Sequence, residues 1–433
     1  MSKAQGIDPP QFAGGFRALP LRLRFMFALG KYAVQRKKYP LFRANSPPGG
    51  LAASRPLLRE LTLCKSVRYD HHVRFSLTVP RWPSRPFDQM VARGGLNITA
   101  SGTPFKQQID MTILGITRKC AYSCRHCYEH FNLAEEESVP AERWATLVRE
   151  LQAVGVSIIV FSGGEPMMRF GDLLDLLRAA DHDRSEFHVH TSGHDVSREK
   201  ARALKEAGLA AAAVGLDDIV PERHDAMRGT PGAFGEAIRA LEYFREAGIF
   251  TYLNTCLTRD IVRSGDLPRL LLAARDLGVG IVRFLEPRPS GTFLDTNPDD
   301  LFSAEDRAIV TEFFREANLG RKYRDCPLIS YEAYFESPER LGCMMGGHSH
   351  LYVDSRGHVE PCVFLPVSFG NILNEDFASI FSRMRAEIPR PLHDRCPSLQ
   401  LAETVRTKGD HGSALPIAVE TIRTEWKDMM RRA

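Results

Sequence analysis

The sequence predicts an α/β protein built on an open, partial (β/α)6 barrel. A basic N-terminal extension precedes the barrel and a small C-terminal α+β domain follows it. Three observations predict this. From Asp110 onward, six short apolar runs alternate with amphipathic helical segments, the pattern of βαβ units laid into a parallel sheet with helices outside. Six units are too few to close an eight-fold barrel. Beyond Pro289 the texture changes to a helical connector, a short hairpin and scattered cysteines.

The chain has 433 residues, of which 43% are hydrophobic and 25% charged. That length supports two or three domains, and the composition excludes a disordered or fibrous chain. The formal net charge of +4 is unevenly spread: residues 1–60 sum to +9 and the remainder to −5. Within the extension, Leu21–Lys38 reads as an amphipathic helix with Leu21, Phe25, Leu29 and Tyr32 on one face, ended by Pro40. Residues 1–45 have three readings: a solvated arm, an interfacial helix lying on anionic lipid, or a docking surface for an acidic leader peptide. Nucleic acid is not expected as a partner, because aromatics are not interleaved with the basic residues. Ala44–Lys106 is rich in Pro, Gly and Arg, with a short strand signal near Val73–Val79 and no assignable fold.

The barrel strands are read at Met111–Ile116, Ser157–Ser162, Phe187–Thr191, Ala211–Leu216, Phe250–Leu257 and Ile281–Leu285. In the helix Ala141–Val154, Trp144, Leu147, Val148 and Leu151 share one face, and Pro140 suits its start. A connector helix is read at Ala304–Ala317. A hairpin follows, His350–Val353 and His358–Pro361, turning on Asp354–Gly357. A helix near Asp376–Glu387 and a polar C-terminal segment complete the chain. The expected boundaries are 1–109, 110–291, 292–325, 326–400 and 401–433.

Nine cysteines are an odd number, which argues against a fully paired disulfide scaffold. Neither a signal peptide nor a ~20-residue apolar span is read, so the expected compartment is the cytoplasm, with reduced thiols available for metal or catalysis. Cys120, Cys124 and Cys127 form C-x3-C-x2-C directly after the first barrel strand. Three thiolates so close can wrap a cubane iron–sulfur cluster that otherwise takes four, leaving one iron open. A zinc site is the alternative, although zinc motifs usually pair C-x2-C with a second half-site. The second motif, FSGGEP, ends at Pro166 after the second strand. Its paired glycines permit close backbone approach, and both motifs fall at the carboxyl ends of strands, where barrel active sites form.

On C-x3-C-x2-C, GGEP and the segment Val214–Arg259, with its LD, HD, RG and AG positions, the chain resembles the radical S-adenosylmethionine (SAM) enzymes. The resemblance covers about 180 residues and extends to the branch with a C-terminal auxiliary-cluster domain of SPASM or twitch type. It implies a TIM-like partial barrel in which Cys120, Cys124 and Cys127 hold a 4Fe–4S cluster. Reductive cleavage of SAM there gives a 5′-deoxyadenosyl radical that abstracts hydrogen from an unactivated C–H bond.

The resemblance places Gly163, Gly164, Glu165 and Pro166 at the methionyl amine and His126 and Tyr128 by the adenine. Thr191, Asp217, Arg228 and Asn254 line the rest of the site. Ser192 and Gly215 depart from the family, where Asn and Ser are usual. Cys343, Gly357 and Cys362 match the opening SPASM/twitch spacing. With Cys326 and Cys396 they give four thiolates for one auxiliary cluster, against the alternatives of buried thiols or zinc. Val363, where sulfatase-maturing relatives have an acidic residue, argues against that oxidation. Cys64 reads as a structural thiol. Cys256, two residues beyond Asn254 on one strand, faces the same way and is a candidate hydrogen-atom donor.

The expected activity is that of a radical SAM oxidoreductase, epimerase or other modifying enzyme. Its electron donor would be flavodoxin or ferredoxin, and its substrate a peptide, a sugar or antibiotic, or a lipid. The alternative is an iron–sulfur redox or scaffold protein without SAM chemistry.

Overall fold

The computed structural model describes residues 9–13, 65–93, 109–412 and 414–432. The amphipathic helix read at Leu21–Lys38, most of the basic arm and Cys64 lie outside the described residues. Three short strands, β1 (Gln11–Ala13), β2 (Ser66–Tyr69) and β3 (His72–Arg74), form an antiparallel sheet. Six parallel strands follow: β4 (Met111–Thr117), β5 (Ile158–Gly163), β6 (Glu186–Thr191), β7 (Ala211–Gly215), β8 (Phe250–Cys256) and β9 (Ile281–Leu285). Each lies within one residue of the run read from sequence. At one edge β10 (Leu328–Ser330) joins β9 in parallel. At the other, β11 (His350–Val353) pairs in parallel with β4, and β12 (Val359–Glu360) closes the hairpin. The sheet therefore has nine strands, and the hairpin that follows Cys343 is its direct continuation.

Both faces of the barrel strands are buried, which is why they read as apolar runs rather than as alternating ones. Leu114, Ile159, Phe161, Ala212, Val214 and Leu253 pack outward into the main core beneath the helices. Their neighbours in alternation point into the lumen. Met111, Ile113, Ile158 and Val160 cluster there with Tyr352 of the hairpin. Ala211, Ala213, Phe250, Tyr252 and Ile281 cluster with Val67 and Leu77, so the N-terminal strands cap the lower end of the lumen.

The helix Ala141–Val154 shows how one outer element is specified. Trp144, Leu147, Val148 and Leu151 are 0–2% exposed, and burying each such side chain contributes about 1.5–3 kcal/mol. Gly155 ends the helix at φ +94°, with its N–H donating to the Leu151 carbonyl.

Candidate active site

The cysteine loop leaves β4 and is held from two sides. The Gly164 N–H donates to Thr117 O at 2.8 Å and the Glu165 N–H to Lys119 O at 2.7 Å. Gly164 lies so close that a Cβ there would collide with the Lys119 carbonyl, so the second glycine of FSGGEP is what lets the two strand ends meet. On the far side Gly229, at φ +62°, packs against the Ser123 carbonyl, and the Arg125 N–H donates to Met227 O at 2.9 Å.

These contacts bring the expected residues to one cavity of about 200 Å³. Cys120, Cys124 and Cys127 line it with His126, Tyr128, Gly163 and Gly164, and with Thr191, Asp217, Arg228, Asn254 and Cys256 across the strand ends. Glu165 and Pro166 do not line it. The Glu165 carboxylate, 1% exposed, accepts bonds from the Met167 N–H (3.1 Å), the Thr191 hydroxyl (2.7 Å), and both the N–H and hydroxyl of Ser192 (2.8 and 2.6 Å). Ser192, one of the two departures from the family pattern, thus ties the end of β6 to the GGEP turn.

Asp217 organises the opposite wall. Arg228 Nε lies 2.8 Å and His126 Nε2 3.7 Å from its Oδ2, and Oδ1 accepts the Cys256 N–H at 3.0 Å. Burial would raise this carboxyl, yet Arg228 and His126 hold it below its ordinary value. Burial lowers His126 to about 4, leaving a neutral ring. Gly215 is the second departure, and the structure gives its reason: a Cβ there would run into the Arg228 guanidinium.

The cavity fits the groups that the spacing implies. Burial pushes the Cys120 thiol up to about 11 and raises Cys124 and Cys127, so these sulfurs ionise when a metal binds them. Among the described residues, only Asp70, His71 and His72 bring three ligand atoms to single-ion distance. The spread of the three cysteines therefore suits a cluster better than one zinc ion. His126 Nδ1 and Asn254 Oδ1 are buried without a hydrogen-bond partner, which a polar amino-acid or nucleoside ligand would satisfy.

A second cavity of about 640 Å³ adjoins the first; Ile113, Arg283, Leu285, Arg288, Val363 and Phe364 line both. Cys343, Cys362 and Cys396 line this second space together. Cys326 does not join them. It lies 3% exposed at the edge by β10, its carbonyl accepting Lys65 Nζ at 3.1 Å, with Lys65 and Arg275 as its charged neighbours. The apolar core claims it because it immediately precedes a strand of the barrel sheet.

Sequence reading missed His190 and the charged wall. His190 lines the first cavity, and its Nε2 lies 3.0 Å from the Tyr252 hydroxyl. The signal was present: Glu186, His188 and His190 alternate along β6 and so share its lumen face. The charged wall is a set of pairs, Arg283–Glu332 (3.1 Å), Arg288–Glu286 (2.7 Å) and Arg307–Glu286 (2.9 Å), in which β9 and the loop after it meet Arg307 and Glu332 from later elements. Among the described residues, no helix is long and apolar enough to cross a membrane.

Residues 114–262 match the family model described as the radical SAM superfamily, and residues 343–399 match an iron–sulfur cluster-binding domain, SPASM. The chain is 27% identical over 289 residues to an AdoMet-dependent heme synthase of Nitratidesulfovibrio vulgaris, covering 62% of this chain and 77% of that protein. It is 28% identical over 320 residues to an Fe-coproporphyrin III synthase of Methanosarcina barkeri, covering 68% and 79%. Streptococcus suis SuiB bound to S-adenosylmethionine shares the fold at TM-score 0.52 and 15% identity, covering 70% of this chain and 73% of that one.

Proposed function

We propose that this chain, which belongs to the radical SAM superfamily and carries a SPASM-type iron–sulfur domain, abstracts hydrogen from a substrate held in the paired cavities. In this family a 4Fe–4S cluster and S-adenosylmethionine supply the oxidising radical, and the SPASM domain holds auxiliary cluster chemistry beside it. Cys120, Cys124 and Cys127 are the ligands of the SAM-binding cluster, and Cys343, Cys362 and Cys396 belong to the auxiliary one.

The protein's own residues bind, orient and shield. Asn254 and His126 present their unpartnered polar atoms to the nucleoside and methionyl groups. Glu165 fixes the GGEP turn through Thr191 and Ser192. Tyr128, bonded to the Ser162 hydroxyl at 2.8 Å, packs edge-on against Phe364 and Tyr352 and closes the apolar side against water. Cys256, its thiol raised by burial, keeps an S–H bond facing the same cavity. An electron donor of flavodoxin or ferredoxin type completes the system.

The single observation that carries the reading is the convergence of the three-cysteine loop with Asp217, Arg228, Asn254 and Thr191 on one cavity. The formal charges lining the adjoining space balance, with Arg283, Arg288, Arg307 and Arg395 against Glu286, Glu332, Glu336 and Asp394. This favours a substrate without net negative charge, such as a peptide segment, over the tetrapyrroles named for the two relatives. Anaerobic reconstitution followed by an assay for 5′-deoxyadenosine tests the activity. Cleavage of SAM under strong reductant is expected in the wild type and absent in Cys124→Ala; no cleavage by the wild type would overturn the reading.

A further inference from the structure

The second cavity brings three thiols together where an all-cysteine cluster needs four. Cys326, the remaining described thiol beyond the six barrel strands, is excluded by place, since it is buried at the barrel edge beside Lys65. The cavity wall does offer other donors. Glu286 is committed to Arg288, Arg307 and the Tyr331 hydroxyl, and Glu332 to Arg283 and Ser330. Asp394 lines the cavity too, but the carboxylate among the leading influences on Cys343 and Cys362 is that of Glu336. It lines the same cavity as Cys343, Cys362 and Cys396, and the imidazole of His350 stands off from it, Nδ1 at 3.6 Å, outside hydrogen-bond range. Its carboxylate is the foremost charge acting on the Cys343 thiol and also acts on Cys362.

Local structure explains the placement. The short helix Glu332–Phe335 ends at Glu336, whose N–H donates to Glu332 O at 2.8 Å. The backbone of Met344, next to Cys343, bonds back to the Glu336 side chain. The Cys343 N–H in turn donates to Leu392 O at 2.7 Å and the Leu392 N–H to Cys343 O at 3.1 Å, which ties the segment leading to Cys396 against the same strip. Glu336 is therefore anchored beside Cys343 at the edge of the three-thiol set.

We propose that Glu336, and not Cys326, is the fourth protein ligand of the auxiliary iron–sulfur cluster. The inference rests on the reading that Cys343, Cys362 and Cys396 hold such a cluster. A carboxylate is a harder and weaker partner for iron than a thiolate, and its removal leaves one iron open to an added ligand while three thiolates still hold the cluster.

The test uses the reconstituted full-length protein. Wild type and Cys326→Ala should each carry about eight irons per chain, two four-iron clusters, and Cys343→Ala about half as many. With SAM present to occupy the first cluster, 13C-cyanide is the probe and electron–nuclear double resonance of the reduced protein the readout. Glu336→Ala should show a 13C coupling that wild type lacks, and Glu336→Cys should keep its iron and show none. Loss of half the iron in Cys326→Ala, or identical cyanide coupling in wild type and Glu336→Ala, would overturn the assignment. So would a nitrogen coupling in wild type that vanishes in His350→Ala. Retention of all iron in Cys343→Ala would instead overturn the auxiliary-cluster reading beneath it.

Discussion

The Tyr252 hydroxyl lies 3.0 Å from His190 Nε2, inside the barrel, and His190 lines the cavity that Cys120, Cys124 and Cys127 share. The same oxygen lies 3.3 Å from His188 Nδ1, and His188 Nε2 lies 2.7 Å from Glu186. The proton order along this line follows from its end. Burial would raise Glu186, but Arg74, His188 and Arg81 hold it well below the usual carboxylate range. An ionised Glu186 can only accept, so His188 donates from Nε2 and accepts the tyrosine proton at Nδ1. The tyrosine oxygen then accepts from His190 Nε2–H, which leaves the His190 Nδ1 lone pair unprotonated. Nitrogen-15 spectra of histidine-labelled protein should show His190 as the neutral Nε2–H tautomer near pH 7. Tyr252→Phe should remove that preference and cost about 1–3 kcal/mol in chemical denaturation.

Glu186 also anchors the N-terminal cap, since Arg74 Nη2 lies 2.7 Å away and both side chains are only 2% exposed. Glu186→Gln strands that guanidinium without a counter-ion, and the expected cost is on the order of 3–5 kcal/mol. The gentler control Arg81→Lys, at a partner 33% exposed, should cost less than a third as much. Equal losses in the two variants would show that the Arg74 pair does not hold the cap.

The stability contributed by the buried histidines should fall as pH drops below about 6.5, and the sign follows from proton linkage. Burial lowers His224 and His358 to about 4 and lowers His188 as well. Against an unfolded value near 6.5, the unfolded chain takes up these protons first, so their contribution declines from about pH 6.5 down to 4. Glu186 acts in the same direction but lower, because its contribution is complete above about 4.3 and lost only beneath it. Burial raises Glu129, Asp354 and Glu336, which act in the opposite direction, so the check is the difference in thermal midpoint between wild type and His224→Gln, which should change from pH 8 to pH 5 as the His224 contribution is lost.

The motif-bearing parts of this molecule were legible because their chemistry forces local sequence. Cys120, Cys124 and Cys127 share one short loop, and Gly164 is dictated by the Lys119 carbonyl against it. The strands were legible because both of their faces are apolar. Contacts assembled across the fold were not. Nothing near Cys326 says that the barrel edge will claim it, and nothing near Glu336 says that it will stand beside Cys343. Nor does local pattern reveal that Val67 and Leu77, from a Pro- and Arg-rich stretch, will plug the lumen against Phe250 and Ile281. His190 lies between these cases, readable from alternation along β6 once its neighbours are known to face inward.

Gly164→Ala should separate assembly of the SAM site from that of the auxiliary site. The added Cβ meets a backbone carbonyl, which cannot swing away as a side-chain tip could, so the Cys120 loop must shift from β5. The expected result is loss of about half the reconstituted iron with the fold retained by circular dichroism. Full iron content would show that the loop tolerates the displacement.

Cys256 offers a test of radical chemistry that needs no knowledge of the substrate. It and Asn254 line the three-cysteine cavity from the same face of β8, and its N–H is fixed to Asp217 Oδ1 at 3.0 Å. Burial raises the thiol, so at neutral pH it holds a hydrogen atom that exchanges with solvent. In deuterium oxide, without substrate, a thiol within reach of the radical passes deuterium into 5′-deoxyadenosine. The resulting sulfur radical is restored by one electron from the reductant and one solvent proton. Mass spectrometry should find deuterated 5′-deoxyadenosine from the wild type and much less from Cys256→Ala or Cys256→Ser, while total SAM cleavage stays within a few-fold. Equal deuterium content in all three proteins would remove Cys256 as a hydrogen donor.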